Sequence, residues 1–272
     1  MKDYRKYYYE QSCFWDKDYL NDPAEAERID ATIKMIPDGS RSILDAGCGN
    51  GAFINTIVNL FPDKFERIVG LDSSIEALKH VKTEKINKSI GSMPFQTDSF
   101  DLVSCLEVLE HLPEQEFREG ISEIQRVSKK YILISVPNNE NIAQSLVLCP
   151  KCCCAFNSYF HMRSFKKETL SNLFISFKPI TIVEMGPETY FYSYNEWLIF
   201  LRLGYKKPSP SPTAICPQCG YKNKPSSLIG GTEQVCHTPK YQKLLSLLFK
   251  HFFAKRIKKR RWLLGLYEKD ND

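Results

Sequence analysis

Two sets of residues in this chain have the types and spacing to do chemistry. The first is the turn Gly47-Cys48-Gly49-Asn50-Gly51, entered from the apolar run Ile43-Leu44 and left through Ala52-Phe53-Ile54. Glycine has no Cβ and accepts positive φ, so the backbone of such a turn can touch a ligand. The pattern predicts strand, turn and helix, and a helix start adds free N–H groups and the positive end of a dipole. A nucleotide-like or carboxylate-bearing ligand suits that environment. A tight strand–helix turn would account for the glycines alone. It would not account for Asp72, which lies 25 positions after Gly47 at the end of the run Ile68-Val69-Gly70-Leu71. A carboxylate there suits the two hydroxyls of a ribose.

The second set is a pair of cysteine knuckles, Cys149-Pro150-Lys151-Cys152 and Cys216-Pro217-Gln218-Cys219, the latter followed by Gly220. Two residues between cysteines let both thiolates face one ion at about 2.3 Å, and four such ligands make a closed tetrahedral zinc site. The knuckles are separated by 63 residues, where an ordinary ribbon has roughly 15–20. They must therefore come from separate insertions that meet in space. Cys153, Cys154, His161, Cys236 and His237 are further ligand candidates, and the competing reading is buried or redox thiols. The isolated Cys13, Cys48 and Cys105 read as packing residues.

Residues 43–53 together with Val69-Gly70-Leu71-Asp72 resemble the first two motifs of class I S-adenosylmethionine-dependent methyltransferases. Nicotinamide enzymes usually carry G-x-G-x-x-G, whereas this turn is G-x-G-x-G preceded by Asp45. Met93-Pro94-Phe95 leading to Ser99-Phe100-Asp101 is similar to the block before the fourth strand of that superfamily. The resemblance implies S-adenosylmethionine as cofactor, placed against Asp45, Gly47, Cys48, Gly49, Gly51, Asp72, Ser73 and, beyond the fourth strand, Glu107. The family often has an acid before the Pro-Phe pair that accepts from the adenine amine. Here Ser89-Ile90-Gly91-Ser92 contains none, so a serine hydroxyl or the Ser92–Met93 backbone substitutes, and Ser92 and Met93 join the set. The Asn/Asp-Pro-Pro-aromatic motif of base-amine methyltransferases is also missing. Cys105-Leu106-Glu107-Val108 stands in its place, which speaks against exocyclic amines of nucleic acids as acceptors.

Methyl transfer from a sulfonium is an in-line displacement, so the enzyme mainly holds the acceptor close and aligned. A base helps a hydroxyl acceptor. His111, just beyond the fourth strand, is one candidate, against simple capping or packing at a helix start. His161, in His161-Met162-Arg163-Ser164-Phe165, is similar to a His-x-Arg-x-Phe of such enzymes and is the second candidate. Structural positioning or zinc ligation competes for it.

The elements that must position these residues follow from the pattern of apolar runs. A helix is expected from Pro23 to Ile36, strands at residues 43–46, 67–72, 88–90, 102–106 and 131–136, and helices at about 52–60, 75–81 and up to Val127. Alternating strands and helices predict a doubly wound, mostly parallel sheet, with its ligand beyond the carboxyl ends of the strands. The resemblance makes it a seven-stranded, Rossmann-like methyltransferase sheet with a small zinc-binding insertion. A helix at 166–177 and a strand at 180–185 continue the pattern. Residues 1–39 are expected to form an aromatic lid and helix, with Tyr7, Tyr8, Tyr9, Phe14 and Trp15 over the cofactor. Residues 40–186 are the methyltransferase domain with the first knuckle at 149–154. Residues 187–261 are an insertion with the second knuckle and a basic amphipathic helix at 238–260, and residues 262–269 are the last strand.

Composition bounds the rest. At 272 residues, with 43% hydrophobic and 25% charged residues, the chain reads as soluble and globular, one large α/β domain plus an appendage. Its charged, aromatic start does not read as a signal peptide, and its apolar runs are too short to span a bilayer, so a cytoplasmic protein is expected. The net charge of +5 is uneven: nine Lys and Arg and no acid lie between Glu233 and Glu268. That segment could lie on an anionic membrane or on nucleic acid, or solvate its charges as an ordinary surface helix. The expected activity is methylation of an oxygen on a small molecule, glycan or lipid-linked precursor. An RNA or protein methyltransferase is the first alternative, and a non-catalytic binding module on the same fold the second.

Overall fold

The computed structural model describes residues 4–192, 214–222 and 256–270. The chain forms two compact units. One gathers residues 1–8, 140–164 and 189–259; the other gathers 9–139, 165–188 and 260–272.

The second unit is built on a seven-stranded sheet. Its strands are β1 Ser42–Ala46, β2 Arg67–Asp72, β3 Glu84–Asn87, β4 Phe100–Leu106, β5 Ser128–Pro137, β8 Phe177–Tyr192 and β9 Arg256–Lys269, in the order β3-β2-β1-β4-β5-β9-β8. The pairs from β3 through β5 are parallel and β9 runs antiparallel to β5. The order reverses between β1 and β4, which is where such sheets open a crevice for ligand. After the short helices α1 Tyr4–Tyr9 and α2 Ser12–Trp15, helices α3 Pro23–Lys34, α4 Ala52–Leu60 and α6 Glu114–Val127 cover the faces. Because side chains alternate along a strand, neighbours in β1 bury on opposite sides: Leu44 joins a cluster with Val69, Val103 and Ile124, while Ile43 joins one with Ile29, Ile33 and Ile54.

Helix α3 starts where Asp22 accepts from the Ala24 amide at 2.9 Å and Pro23 takes the first helical position, a pairing that stabilises helix starts. Its buried stripe is Arg28, Ile29, Thr32 and Ile33.

Several elements differ from expectation. The third strand is Glu84–Asn87, not 88–90. Its charged, mostly exposed residues suit a sheet edge and hide it from a search for apolar runs. Helix α5 is only Ile75–Leu78, started by Ser74, whose Oγ accepts from the Ala77 amide at 3.1 Å. The helix expected at 166–177 is the short α7 Lys167–Ser171, and Phe177 already begins β8. The basic segment is also corrected. From Arg256 it is β9 rather than helix, because pairing in a sheet overrides local pattern; residues 238–255, with Cys236 and His237, lie outside the described residues. Among the described residues no helix is long and apolar enough to cross a membrane.

The first unit contains the hairpin of β6 Leu146–Leu148 and β7 Ala155–Asn157 and an isolated bridge between Ile215 and Lys222.

Candidate cofactor site and cysteine centre

The turn after β1 is held at the carboxyl edge of the sheet. Gly47 N and Cys48 N donate to Leu71 O at 2.7 and 3.0 Å, so the turn hangs on the end of β2. Gly47, Gly49 and Gly51 have φ of 83°, 53° and 78°, a conformation other residues adopt at a cost. A Cβ at Gly47 would lie 2.4 Å from Val108 Cγ2, and one at Gly49 2.9 Å from the Trp15 ring. Cys48 is buried, and its sulfur packs where a Cβ on Gly70 would stand. Helix α4 then begins at Gly51 with no side-chain cap.

Asp72 closes the turn from the other side. Its carboxylate accepts from Gly49 N at 2.9 Å and Ser74 N at 2.8 Å, and also from the Ser73 amide. Burial pushes its pKa up, and these backbone donors pull it partly back. Asp45 lies beneath the turn, 2% exposed, accepting from Ser104 Oγ at 2.7 Å. Burial raises its pKa to about 7.

An N-terminal segment crosses this edge. Trp15 is buried and donates its indole N–H to Tyr9 O, while Asn50 Nδ2 reaches Trp15 O and Lys17 O at 3.1 and 3.0 Å. Ser74 Oγ donates to Tyr9 O at 2.9 Å, and Glu10 accepts from the Ile75 and Glu76 amides at 3.2 and 3.3 Å.

Glu107 follows β4 with φ 58°, an uncommon conformation for a residue with a side chain. Its two carboxylate oxygens accept from Ser135 Oγ and, at 2.9 Å, from the Trp262 indole. His111 stands in a short 3-10 turn, edge-on to the Tyr9 ring at 5.9 Å, with Nε2 3.9 Å from the buried Glu110 carboxylate. Ser92 and Met93 are differently engaged: Ser92 N donates to Ser89 O at 3.1 Å, and Met93, buried, gives its N–H to Glu123 at 2.7 Å and its carbonyl to Arg126.

One residue of this edge is missing from the sequence reading. Arg28 of α3 has a side chain only 10% exposed; its Nε and Nη2 donate to Glu25 at 3.0 and 2.9 Å, and its guanidinium lies 5.5 Å from the Trp262 ring centre. Among the described residues its Nη1 has no hydrogen-bond partner. A buried donor left open is costly, so it points to a ligand or water. The signal was present: Arg28 occupies the apolar stripe of α3 beside Ile29 and Ile33.

In the first unit Cys149, Cys152, Cys216 and Cys219 come together, with all four sulfurs within 4.8 Å of one another. Cys153 and Cys154 are not in that group. His161 is in this unit too, its Nδ1 bonded to the Glu140 carboxylate.

The fold is a Rossmann-like sheet of the class I S-adenosylmethionine-dependent methyltransferase type. Residues 43–131 match the family model described as a methyltransferase domain. A ubiquinone biosynthesis O-methyltransferase of Xanthomonas oryzae is 30% identical over 115 residues, 37% of this chain and 46% of the relative. A small RNA 2'-O-methyltransferase of Arabidopsis thaliana is 28% identical over 140 residues, 45% of this chain but 15% of the relative. The chain thus spans less than half the length of these curated relatives. Among solved structures, a putative methyltransferase in complex with the Haloferax volcanii Trm112 activator aligns over 100% of both chains at TM-score 0.55 and 11% identity. The cyclase SpnF aligns over 94% of this chain and 86% of its own at TM-score 0.53 and 13% identity, so the same fold also serves other reactions.

Proposed function

We propose that this chain is an S-adenosylmethionine-dependent methyltransferase whose acceptor is an oxygen on a small molecule, glycan or lipid-linked precursor. The observation that carries the reading is the left-handed turn at Gly47, Gly49 and Gly51 tied to the Asp72 carboxylate at the switch point of the sheet. The residues fit this cofactor: a left-handed glycine turn without side chains, a carboxylate for a ribose, and an open guanidinium N–H for a carboxylate. When bound, S-adenosylmethionine supplies a methyl group on a positively charged sulfur.

The chain's own residues do the remaining work. Asp72 already accepts from Gly49, Ser73 and Ser74, and its remaining acceptor site receives a ribose hydroxyl. Arg28 Nη1 takes the carboxylate of the amino-acid end. The segment from Tyr9 to Lys17 covers Gly49 and keeps water from the reacting centre. Glu107, fixed by Ser135 and Trp262, forms the wall at the ends of β4 and β5, and His111 is the base this reading assigns to a hydroxyl acceptor. A Zn2+ at the four-cysteine centre of the first unit is the second bound group, structural and without a part in methyl transfer. An oxygen acceptor is favoured because both relatives above are named for O-methylation and the base-amine motif is absent after β4. The small RNA relative and the basic start of β9 favour RNA as the second reading; binding to RNA that weakens steeply with salt would select it.

Calorimetric titration with S-adenosylmethionine and S-adenosylhomocysteine tests the cofactor. Micromolar binding is expected, and Asp72→Ala should weaken it at least about tenfold, because a hydrogen bond to a charged group is lost together with the anchor of Gly49 N. A folded wild-type chain that binds neither would sink the reading. Arg28→Gln should weaken S-adenosylhomocysteine about tenfold while leaving methylthioadenosine, which lacks the amino-acid end, unchanged. Equal losses for the two ligands would mean that Arg28 acts only through the fold.

A further inference from the structure

We propose that the first unit is folded by its metal: Cys149, Cys152, Cys216 and Cys219 close around one Zn2+, and this ion, rather than an apolar core, holds the two knuckles together. The proposal rests on the zinc reading above and is independent of methyl transfer.

The sulfur spacing is that of a coordination sphere. Cys149 Sγ and Cys219 Sγ are 3.6 Å apart, and Cys152 Sγ and Cys216 Sγ 3.5 Å. A disulfide needs about 2.05 Å. A tetrahedron with zinc–sulfur bonds of about 2.3 Å has edges of about 3.8 Å. Sulfurs gathered this closely without a covalent bond are explained by an ion at their centre.

The backbone repeats the same device twice. Cys153 N donates to Cys149 O and Gly220 N to Cys216 O, each at 2.9 Å. Cys153 and Gly220, the residues just after each knuckle, have φ of 58° and 69°. Gly220 takes that conformation without strain, whereas Cys153 does so at a cost. Backbone N–H groups also point at the sulfurs: those of Gln218 and Cys219 at Cys216, that of Tyr221 at Cys219, and that of Cys154 at Cys152. Cys154 is excluded from the set, since its Sγ lies against Ala155 O at 3.6 Å. Four sulfurs leave no open position, so the ion is structural rather than a Lewis acid.

Cys153 beside this centre is disulfide-bonded, and among the described residues the apolar support around the centre is small. Its buried cluster is Val147, Cys149, Phe156, Ala214 and Cys216, in which only Val147 and Phe156 are apolar side chains larger than alanine. Among the described residues this cluster is small for ordering two chain segments that are far apart in sequence, and small domains in this position rely on a metal.

Metal analysis of the full chain should give one zinc per molecule. Cobalt in its place should give the visible absorption of tetrahedral cobalt with thiolate charge transfer. Cys149→Ser or Cys216→Ser should abolish that spectrum, and Cys154→Ser should keep it. Stripping the metal with a strong chelator should open residues 140–164 and 214–222 to proteolysis while 42–137 stays protected. Because serine variants can fail to fold, the cobalt spectrum and proteolysis of the wild-type chain decide the matter. A metal-free chain with no cobalt spectrum overturns the zinc reading, and S-adenosylhomocysteine titration of the same sample reports separately on the cofactor site. Zinc that can be stripped without new cleavage overturns its role in folding.

Discussion

Gly47→Ala is expected to abolish cofactor binding and to destabilise the chain, the larger of any single-residue effect at this edge. The new Cβ would stand 2.4 Å from Val108 Cγ2, and the residue would be left at φ 83°. Left-handed backbone costs about 1–2 kcal/mol for a residue with a side chain, and forced overpacking about 1–3 kcal/mol more. Relief by moving Val108 would disturb its neighbour Glu107, already in a left-handed conformation and tied to Ser135 and Trp262. Relief by flattening the turn would break the bonds from Gly47 and Cys48 to Leu71 O. Gly39→Ala is the matched control, because a Cβ there meets nothing within 4 Å. Denaturant unfolding and S-adenosylhomocysteine titration of both variants check this. Equal stability and affinity in the two would show that the turn tolerates a side chain and that its left-handed geometry is not what receives the ligand.

The second large effect is on pH and comes from Asp45. Burial raises its pKa from 3.8 to about 7. The folded chain therefore holds this proton more tightly than the unfolded chain does. Between the two values the unfolded state has lost a proton that the folded state keeps, so Asp45 makes stability fall as pH rises from about 4 to 7, and the loss then levels off. Roughly three pH units at about 1.4 kcal/mol each put the effect near 4 kcal/mol. Asp45→Asn keeps the bond to the Ser104 hydroxyl without the ionisation. Its unfolding midpoint should exceed that of wild type at pH 8 and approach it at pH 5. Asp72, also raised by burial, works in the same direction, and Glu84 and Glu123, lowered by their arginine partners, work in the other. The wild-type minus variant difference isolates Asp45. A difference that does not change between pH 5 and 8 would show that Asp45 does not titrate in this window.

What could be seen in the sequence was what is local or strictly spaced. The Gly47 turn, Asp72 and the four cysteines announce themselves because only a few residue types can serve there, and the alternating apolar runs of β1, β2, β4 and β5 reflect burial on both faces. Other features depend on partners distant in the chain. Glu107 meets Trp262 across 155 positions, and Arg28 reaches that indole from a helix that reads as an ordinary amphipathic one. β3 is an edge strand of mainly charged residues, with no apolar run to find. The segment at 256–260 carries basic residues that suit a helix surface equally well, and only its continuation into β9 makes it strand. Met93 gives both its N–H and its carbonyl to Glu123 and Arg126 of α6, an arrangement no local pattern signals.

β8 and β9 are neighbours in the sheet, and the 63 residues between Tyr192 and Arg256 leave from one and return to the other. The sheet has therefore already brought the ends of that stretch together. In general, doubling the length of a closed loop adds only about 0.6 kcal/mol of lost chain entropy. Residues can be gained or lost between these two strands at small cost to the sheet that carries Gly47 and Asp72. Descendants of this chain could thus vary that stretch around the second knuckle, which stays tied to Cys149 and Cys152, and change what they recognise while the glycine turn stays as it is.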